Sequence, residues 1–261
     1  SLAITDYLNI FGAIKFYNKC ISHSIKPIIG CEIPIVDNNH NYFGIVVLLC
    51  KNSEGYHNLN KILSVIHTSS SHLAANTTLL KDYKEGLICL SGGRNGICGI
   101  GSLQKNTNDI NNLITHLSSI FHENFYIEIE RTQREHESIY NNKSLMLASK
   151  FNLPVVATND VHFISDSDFE ANEVKVAINQ KTKLDDRINQ NDYSSFQYFK
   201  DQNEMMESFS DIPSSLKNIE EITKRCNFKL PKFKYHLPKY TNPSNMDDLT
   251  FFKEVCKKGL H

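Results

Sequence analysis

The chain has 261 residues, 40% of them hydrophobic, with 28 Lys and Arg against 29 Asp and Glu for a formal charge of −1. That apolar share supports a sizeable core and excludes disorder, and the length allows one large domain or two ordinary ones. The balanced charge argues against a phosphate-backbone clamp, and no apolar run reaches the roughly 18 residues a membrane helix needs.

Ser1-Leu-Ala-Ile-Thr5 runs straight into Asp6, with no signal-peptide pattern and no initiating Met. The chain opens inside an expected strand, so a fragment with its natural start upstream is expected. Seven cysteines are scattered without a Cys-x-x-Cys pair, which excludes zinc-finger and thioredoxin readings. Buried, reduced thiols in a cytoplasmic protein are expected.

Taken in order, Leu2 to Thr5 reads as a strand and Ile10 to His23 as a helix with an apolar stripe. Lys26-Pro-Ile-Ile-Gly-Cys-Glu32 is a short apolar run ending in an acid, and Asp37 to Asn41 is a turn. Phe43 to Cys50 reads as a buried strand and Glu54 to His67 as a helix. Ser69 to Asn76 is a polar loop, followed by a strand over Gly86 to Ser91 that Gly92-Gly93 stops. The glycine-dense loop through Gly101 matches no phosphate-binding or dinucleotide pattern and reads as a tight turn needing positive φ.

Asp109 to Phe121 is amphipathic. Phe125 to Glu130 alternates Phe/Ile with Tyr126, Glu128 and Glu130, a strand polar on one side. Glu135 to Phe151 is a helix. Leu153 to Phe163 then carries a β-branched strand, Val155 to Thr158, that stops at Asn159-Asp160-Val161-His162. Asp160 and His162 are two apart and suit a divalent metal if pairing persists; the same residues equally suit a plain turn. Ser165 to Asp168 is a capping box opening a helix through Ile178, and Lys181 to Asp192 a charged loop. Helices follow over Asn203 to Phe209 and Ser214 to Cys226. Lys229 to Asn242 is a proline- and aromatic-rich connector, and Ser244 to Asp247 caps a last helix.

Strands alternating with helices imply parallel strands in an α/β layer or barrel. Four expected strand ends carry site-type residues: Thr5-Asp6, Gly30-Cys31-Glu32, Glu130-Arg131-Thr132 and Asn159 to His162. In parallel barrels the site is built at such ends.

Blocks in order then carry a family resemblance: Ala3-Ile-Thr-Asp6, Ile25 to Glu32, Lys51 to Tyr56, Glu85 to Gly93, Val155 to His162, Arg225-Cys-Asn227 and Tyr235-His-Leu-Pro238. Together they resemble the PHP (polymerase and histidinol phosphatase) domain found at the N-terminus of bacterial DNA polymerase III alpha subunits. The resemblance implies a distorted seven-stranded (β/α) barrel, truncated at its N-terminus, over residues 1–230. Residues 231–261 would be a connector and first helix leading into a polymerase core.

The resemblance also implies a metal cluster in some members, with ligands at Asp6, Glu32, Asp160 and His162. Other ligand-type positions depart from the pattern: Tyr7, Ile45 and Thr132 stand where those members carry His, and Gly93 where they carry Cys. Such side chains supply neither imidazole nor thiolate, so a vestigial or weak site for one divalent ion (Zn²⁺, Mn²⁺ or Mg²⁺) is expected, with no catalytic residue in these 261. The implied role is a non-catalytic platform that stabilises a DNA-directed DNA polymerase and docks its proofreading exonuclease (epsilon) subunit. DNA would be met through the parent polymerase within the holoenzyme, with Mg²⁺ in an absent palm domain. The alternative is an active metal-dependent phosphoesterase or 3′–5′ exonuclease; a stand-alone small-molecule phosphatase is the weaker third.

Overall fold

The computed structural model describes residues 1–37, 41–68, 73–99, 107–184, 193–231, 238, 243 and 246–260. The chain divides into two compact units, Ser1–Lys229 and Leu230–His261.

The first unit is built on one sheet whose six strands lie in sequence order: β1 (Leu2–Ile4), β2 (Pro27–Val36), β3 (Tyr42–Cys50), β4 (Leu87–Leu90), β5 (Phe125–Glu130) and β6 (Val155–Thr158). The sheet curls into a half-barrel. The expected seventh strand is not among the described residues. Helices α1 (Ala13–Ser22), α2 (Ser53–Thr68), α3 (Thr77–Asp82), α4 (Thr107–Phe121), α5 (Glu137–Phe151), α6 (Phe169–Gln180), α7 (Gln202–Ser208) and α8 (Pro213–Arg225) join or flank the strands.

The expectation of parallel strands holds only in part. β1/β2, β4/β5 and β5/β6 are parallel, but β2/β3 and β3/β4 are antiparallel. Residues 37–41 are too few for the dozen or more that a parallel crossover takes. Asp37 instead accepts the Asn41 backbone N–H at 2.8 Å, so β2 folds back on itself as a hairpin into β3. The same pairing corrects a second expectation: Gly30-Cys31-Glu32 lies inside β2, which continues through Pro34 to Val36.

Helix α3 was not expected. Asn76 caps it, its side chain accepting the Leu79 N–H at 2.9 Å, but six residues are too short to show a helical period. The Ser165–Asp168 capping box forms as read, opening a single 3₁₀ turn that continues into α6.

Alternation sorts the strands into two faces. The inner face carries Ile28 on β2, Val47 and Leu49 on β3, Ile88 and Leu90 on β4, Tyr126 on β5 and Val156 on β6. Ile222 and Cys226, at the end of α8, cover this apolar floor. On the other side of β5 and β6, Ile129 and Ala157 pack on Phe209 with Leu145, Met205 and Leu216. Two and four residues beyond Tyr126, the inner face turns acidic at Glu128 and Glu130. β5 is thus polar on one side, but that side points inward, and all six residues are buried.

All seven cysteines are free. Six are buried and Cys256 is exposed, which departs from the uniformly buried expectation. Among the described residues no helix is long and apolar enough to cross a membrane.

The second unit contains α9 (Asp248–Gly259), capped by Asp247, whose side chain accepts the Leu249 and Thr250 N–H groups. None of its residues is buried. Residues 232–237 and 239–242 of the expected Lys229–Asn242 connector, and residues 244 and 245 of the expected Ser244–Asp247 cap, fall outside the described residues.

Candidate functional site

The four residues expected as ligands gather on the inner face, Asp6, Asp160 and His162 beyond strand ends and Glu32 within β2. Asp6 follows β1, and its backbone C=O accepts the Glu32 N–H at 3.1 Å. Glu32 is half-buried inside β2. Burial, then the nearby Asp160, Glu128 and Asp6 carboxylates, push its carboxyl up to about 8. Asp160 follows β6 in a left-handed conformation, φ +44°. Its Oδ1 lies 3.2 Å from Nε2 of His162, whose ring meets Tyr193 edge-on.

Two further acids and an arginine complete the group. Glu128 projects from β5; burial raises its carboxyl to about 7, while the Thr158 hydroxyl (2.6 Å) and the Gly92 N–H (3.0 Å) favour its charged form. Glu130, two residues on, is pushed well up by burial and by Asp160, against the pull of Arg134. Its Oε2 accepts the Arg94 N–H at 3.2 Å. The loop that supplies these N–H groups turns at Gly92 (φ +84°) and Gly93 (φ +53°), as the glycine density predicts.

Arg134 enters this group from the loop after β5. Its side chain is 2% exposed. One terminal nitrogen lies 2.7 Å from Glu130 Oε2 and 2.8 Å from Asp160 Oδ2, so a single guanidinium joins the ends of two neighbouring strands. Nε donates to the Thr132 hydroxyl at 3.0 Å. Gln197, fully buried, donates to Asp160 Oδ2 at 3.0 Å and to its backbone C=O at 3.2 Å. Burial works to raise the Asp160 carboxyl, but the His162 hydrogen bond and the Arg134 charge outweigh it and hold it low.

Asn159 is no ligand. Its side chain binds the Tyr198 C=O and the Lys200 ammonium, anchoring the segment from Ser194 to Lys200 beside the mouth. An open cleft of about 400 Å³ lies alongside, lined by Arg131, Phe196, Tyr198, Lys200 and others, but by none of the clustered acids.

The residues do not fit a bound metal well. Both oxygens of Asp160 already face hydrogen-bond donors, and among the described residues no group of three or more His, Cys, Asp or Glu is arranged to hold an ion. The departures from the ligand pattern are filled by other contacts. Thr132 props the Arg134 guanidinium. A Cβ at Gly93 would fall 1.7 Å from Glu130 Oε1, so the Glu130 carboxylate occupies that room. Ile45 is core. The Tyr7 ring sits near Glu32, and burial followed by that carboxylate raises its hydroxyl.

Sequence reasoning named Asp6, Glu32, Asp160 and His162 as candidate ligands and marked the Glu130-Arg131-Thr132 strand end. It missed Glu128 as a member, and Arg134 and Gln197 altogether. The alternation of β5 was the available signal for Glu128. Arg134 carried one too, since Glu130 and Arg134 are oppositely charged and four apart, but they lie off any helical stripe.

Fold and site together define an α/β half-barrel domain whose strand ends gather acidic and imidazole groups. The chain belongs to the PHP domain family, whose model matches residues 1–132. Over its whole length it is similar to proteins described as DNA polymerase III subunit alpha: 35% identical to that of Haemophilus influenzae, 34% to that of Pseudomonas aeruginosa and 36% to that of Escherichia coli strain K12. It spans about a quarter of the length of these relatives, 22–23% in each case.

Proposed function

We propose that the chain is the PHP region of a replicative DNA polymerase III alpha subunit, with residues 231–261 leading into the polymerase core. The full-length similarity to alpha subunits supports this parent. The whole protein would carry out template-directed DNA synthesis in a cytoplasmic holoenzyme. Its nucleotidyl transfer would use Mg²⁺ held by carboxylates outside these residues.

The domain itself serves as a non-catalytic platform that braces the polymerase and docks the proofreading exonuclease (epsilon) subunit. One observation carries the non-catalytic part: Asp160, one of the four expected ligands, is committed to Arg134, Gln197 and His162. A carboxylate so engaged has little lone-pair capacity left for an ion or for water activation. Asp6, Glu32, Asp160 and His162 then form a vestigial site. Co-purification of the intact protein with the exonuclease subunit tests the platform role. A stable complex is expected; free elution of both partners would count against docking.

The convergence of the same acids favours the alternative, a metal-dependent phosphoesterase or exonuclease. A phosphodiester assay in Mn²⁺ or Zn²⁺ decides it. Turnover abolished by Asp160→Ala would establish that reading, and no turnover is expected.

A further inference from the structure

We infer that Arg134 is the resident counter-cation of the acidic mouth, standing in for a divalent ion, and that its removal would open a metal site among the same acids. This stands on the geometry of the mouth and does not depend on the docking role proposed above.

A buried ionised carboxylate needs a partner, because the interior cannot solvate it. Glu130 is buried and Asp160 nearly so, with side-chain exposures of 5% and 16%. Glu130 ends β5, Asp160 follows the adjacent parallel β6, and one nitrogen of one guanidinium joins them. A single positive centre bridging two carboxylates is the arrangement a divalent ion would otherwise provide.

Three features of the chain keep that cation in place. The loop that delivers it takes left-handed conformations at Gln133 (φ +56°) and His136 (φ +63°), unusual for residues other than glycine and held only where surrounding contacts dictate them. The Thr132 hydroxyl accepts the Arg134 Nε–H. Glu130 fills the room a side chain at Gly93 would need, which puts its carboxylate within reach of the guanidinium. Thr132 and the room at Gly93 thus both support the arginine.

Without the guanidinium, Glu130 and Asp160 would lose their shared counter-charge, with the Glu128 and Glu32 carboxyls and His162 nearby. Oxygen donors with one imidazole suit Mn²⁺. The test is Mn²⁺ uptake by equilibrium dialysis, together with thermal unfolding in chelator and in Mn²⁺, on the intact protein. Five forms are compared: wild type, Asp160→Asn, Arg134→Ala, Arg134→Ala/Asp160→Asn and Arg134→Lys. Arg134→Ala is expected to take up about one more Mn²⁺ per chain than wild type and to gain a few degrees of Tm with it. The double variant should lose both effects. Arg134→Lys keeps the charge, so it should fold in chelator and bind no extra ion.

Equal Mn²⁺ uptake by wild type and Arg134→Ala would overturn the inference. So would an ion in the wild type that Asp160→Asn releases. An Arg134→Ala protein that fails to fold with Mn²⁺ as well as without it, or an Arg134→Lys protein that needs Mn²⁺ to fold, would equally count against it.

Discussion

Two arginines follow β5, three residues apart, and they meet carboxylates in opposite settings. Arg134 is 2% exposed and joins Glu130 and Asp160 inside the mouth, whereas Arg131 is 35% exposed and grips Asp211, itself 58% exposed, through two hydrogen bonds. The Arg131 pair has the better paired geometry, yet water screens it, and such pairs contribute little. The Arg134 contacts are desolvated, so losing one partner strands the other without hydration. The difference teaches that burial, more than contact geometry, decides which of two similar ion pairs the fold depends on.

The largest effect should come from Arg134→Ala. Without metal it is expected to lower the stability of the domain by about 3–5 kcal/mol, the usual cost of breaking a buried pair on one side. Chemical denaturation of the intact protein, followed through the domain's own transition, measures it. A loss below about 1 kcal/mol would place Arg134 with ordinary surface pairs.

A pH series sharpens the same contrast. Glu32 and Glu128 have folded-state values of about 8 and 7, above the ordinary 4.5. A raised carboxyl adds stability that is complete below its ordinary value and lost as pH rises through its folded value. Asp160 is lowered from 3.8, so its contribution is present above that value and lost as pH falls through its folded value. Tm is therefore expected to decline from pH 4.5 to 8, and Glu32→Gln should flatten the decline. A Tm that climbs across that range, or a slope untouched by the substitution, would remove the charge-crowded mouth from the account.

Arg131→Ala should cost only about 0–1 kcal/mol, and less at high salt. The packing of Arg131 over the Phe209 ring, 5.0 Å away, belongs to the same small sum. Its counterpart in a thermal melt is a shift near the limit of resolution. A multi-kilocalorie loss would show that exposed pairing matters here.

Smallest of all is Tyr140→Phe. The Tyr140 hydroxyl is buried without a hydrogen-bond partner beside Glu130 and Arg134. Removing it relieves an unmet desolvation cost, so the variant should match or exceed the parent within about 1 kcal/mol. A clear loss of Tm would mean that the hydroxyl is satisfied, for instance through an internal water.

Much of the fold was legible in the sequence because local pattern decides it. The ranges of β5 and β6 were read directly from alternation and from a β-branched run. The Ser165 capping box and the glycine turn at residues 92–93 were set by side-chain and backbone chemistry that a few residues carry. Strand direction was not legible, since the β2–β3 hairpin depends on a five-residue link inside what otherwise reads as a βαβ series. The site divided in the same way. Asp6, Glu32, Asp160 and His162 stood in recognisable blocks. Arg134 and Gln197 reach Asp160 only through backbone bends and long-range packing, which no short window of sequence displays.

The most direct test of the counter-charged mouth is anomalous scattering from crystals of the intact wild-type protein grown in Mn²⁺. The expected map shows the Arg134 guanidinium bridging Glu130 and Asp160, with no Mn²⁺ peak at their carboxylates. A strong peak between those two carboxylates, with the guanidinium displaced, would contradict it.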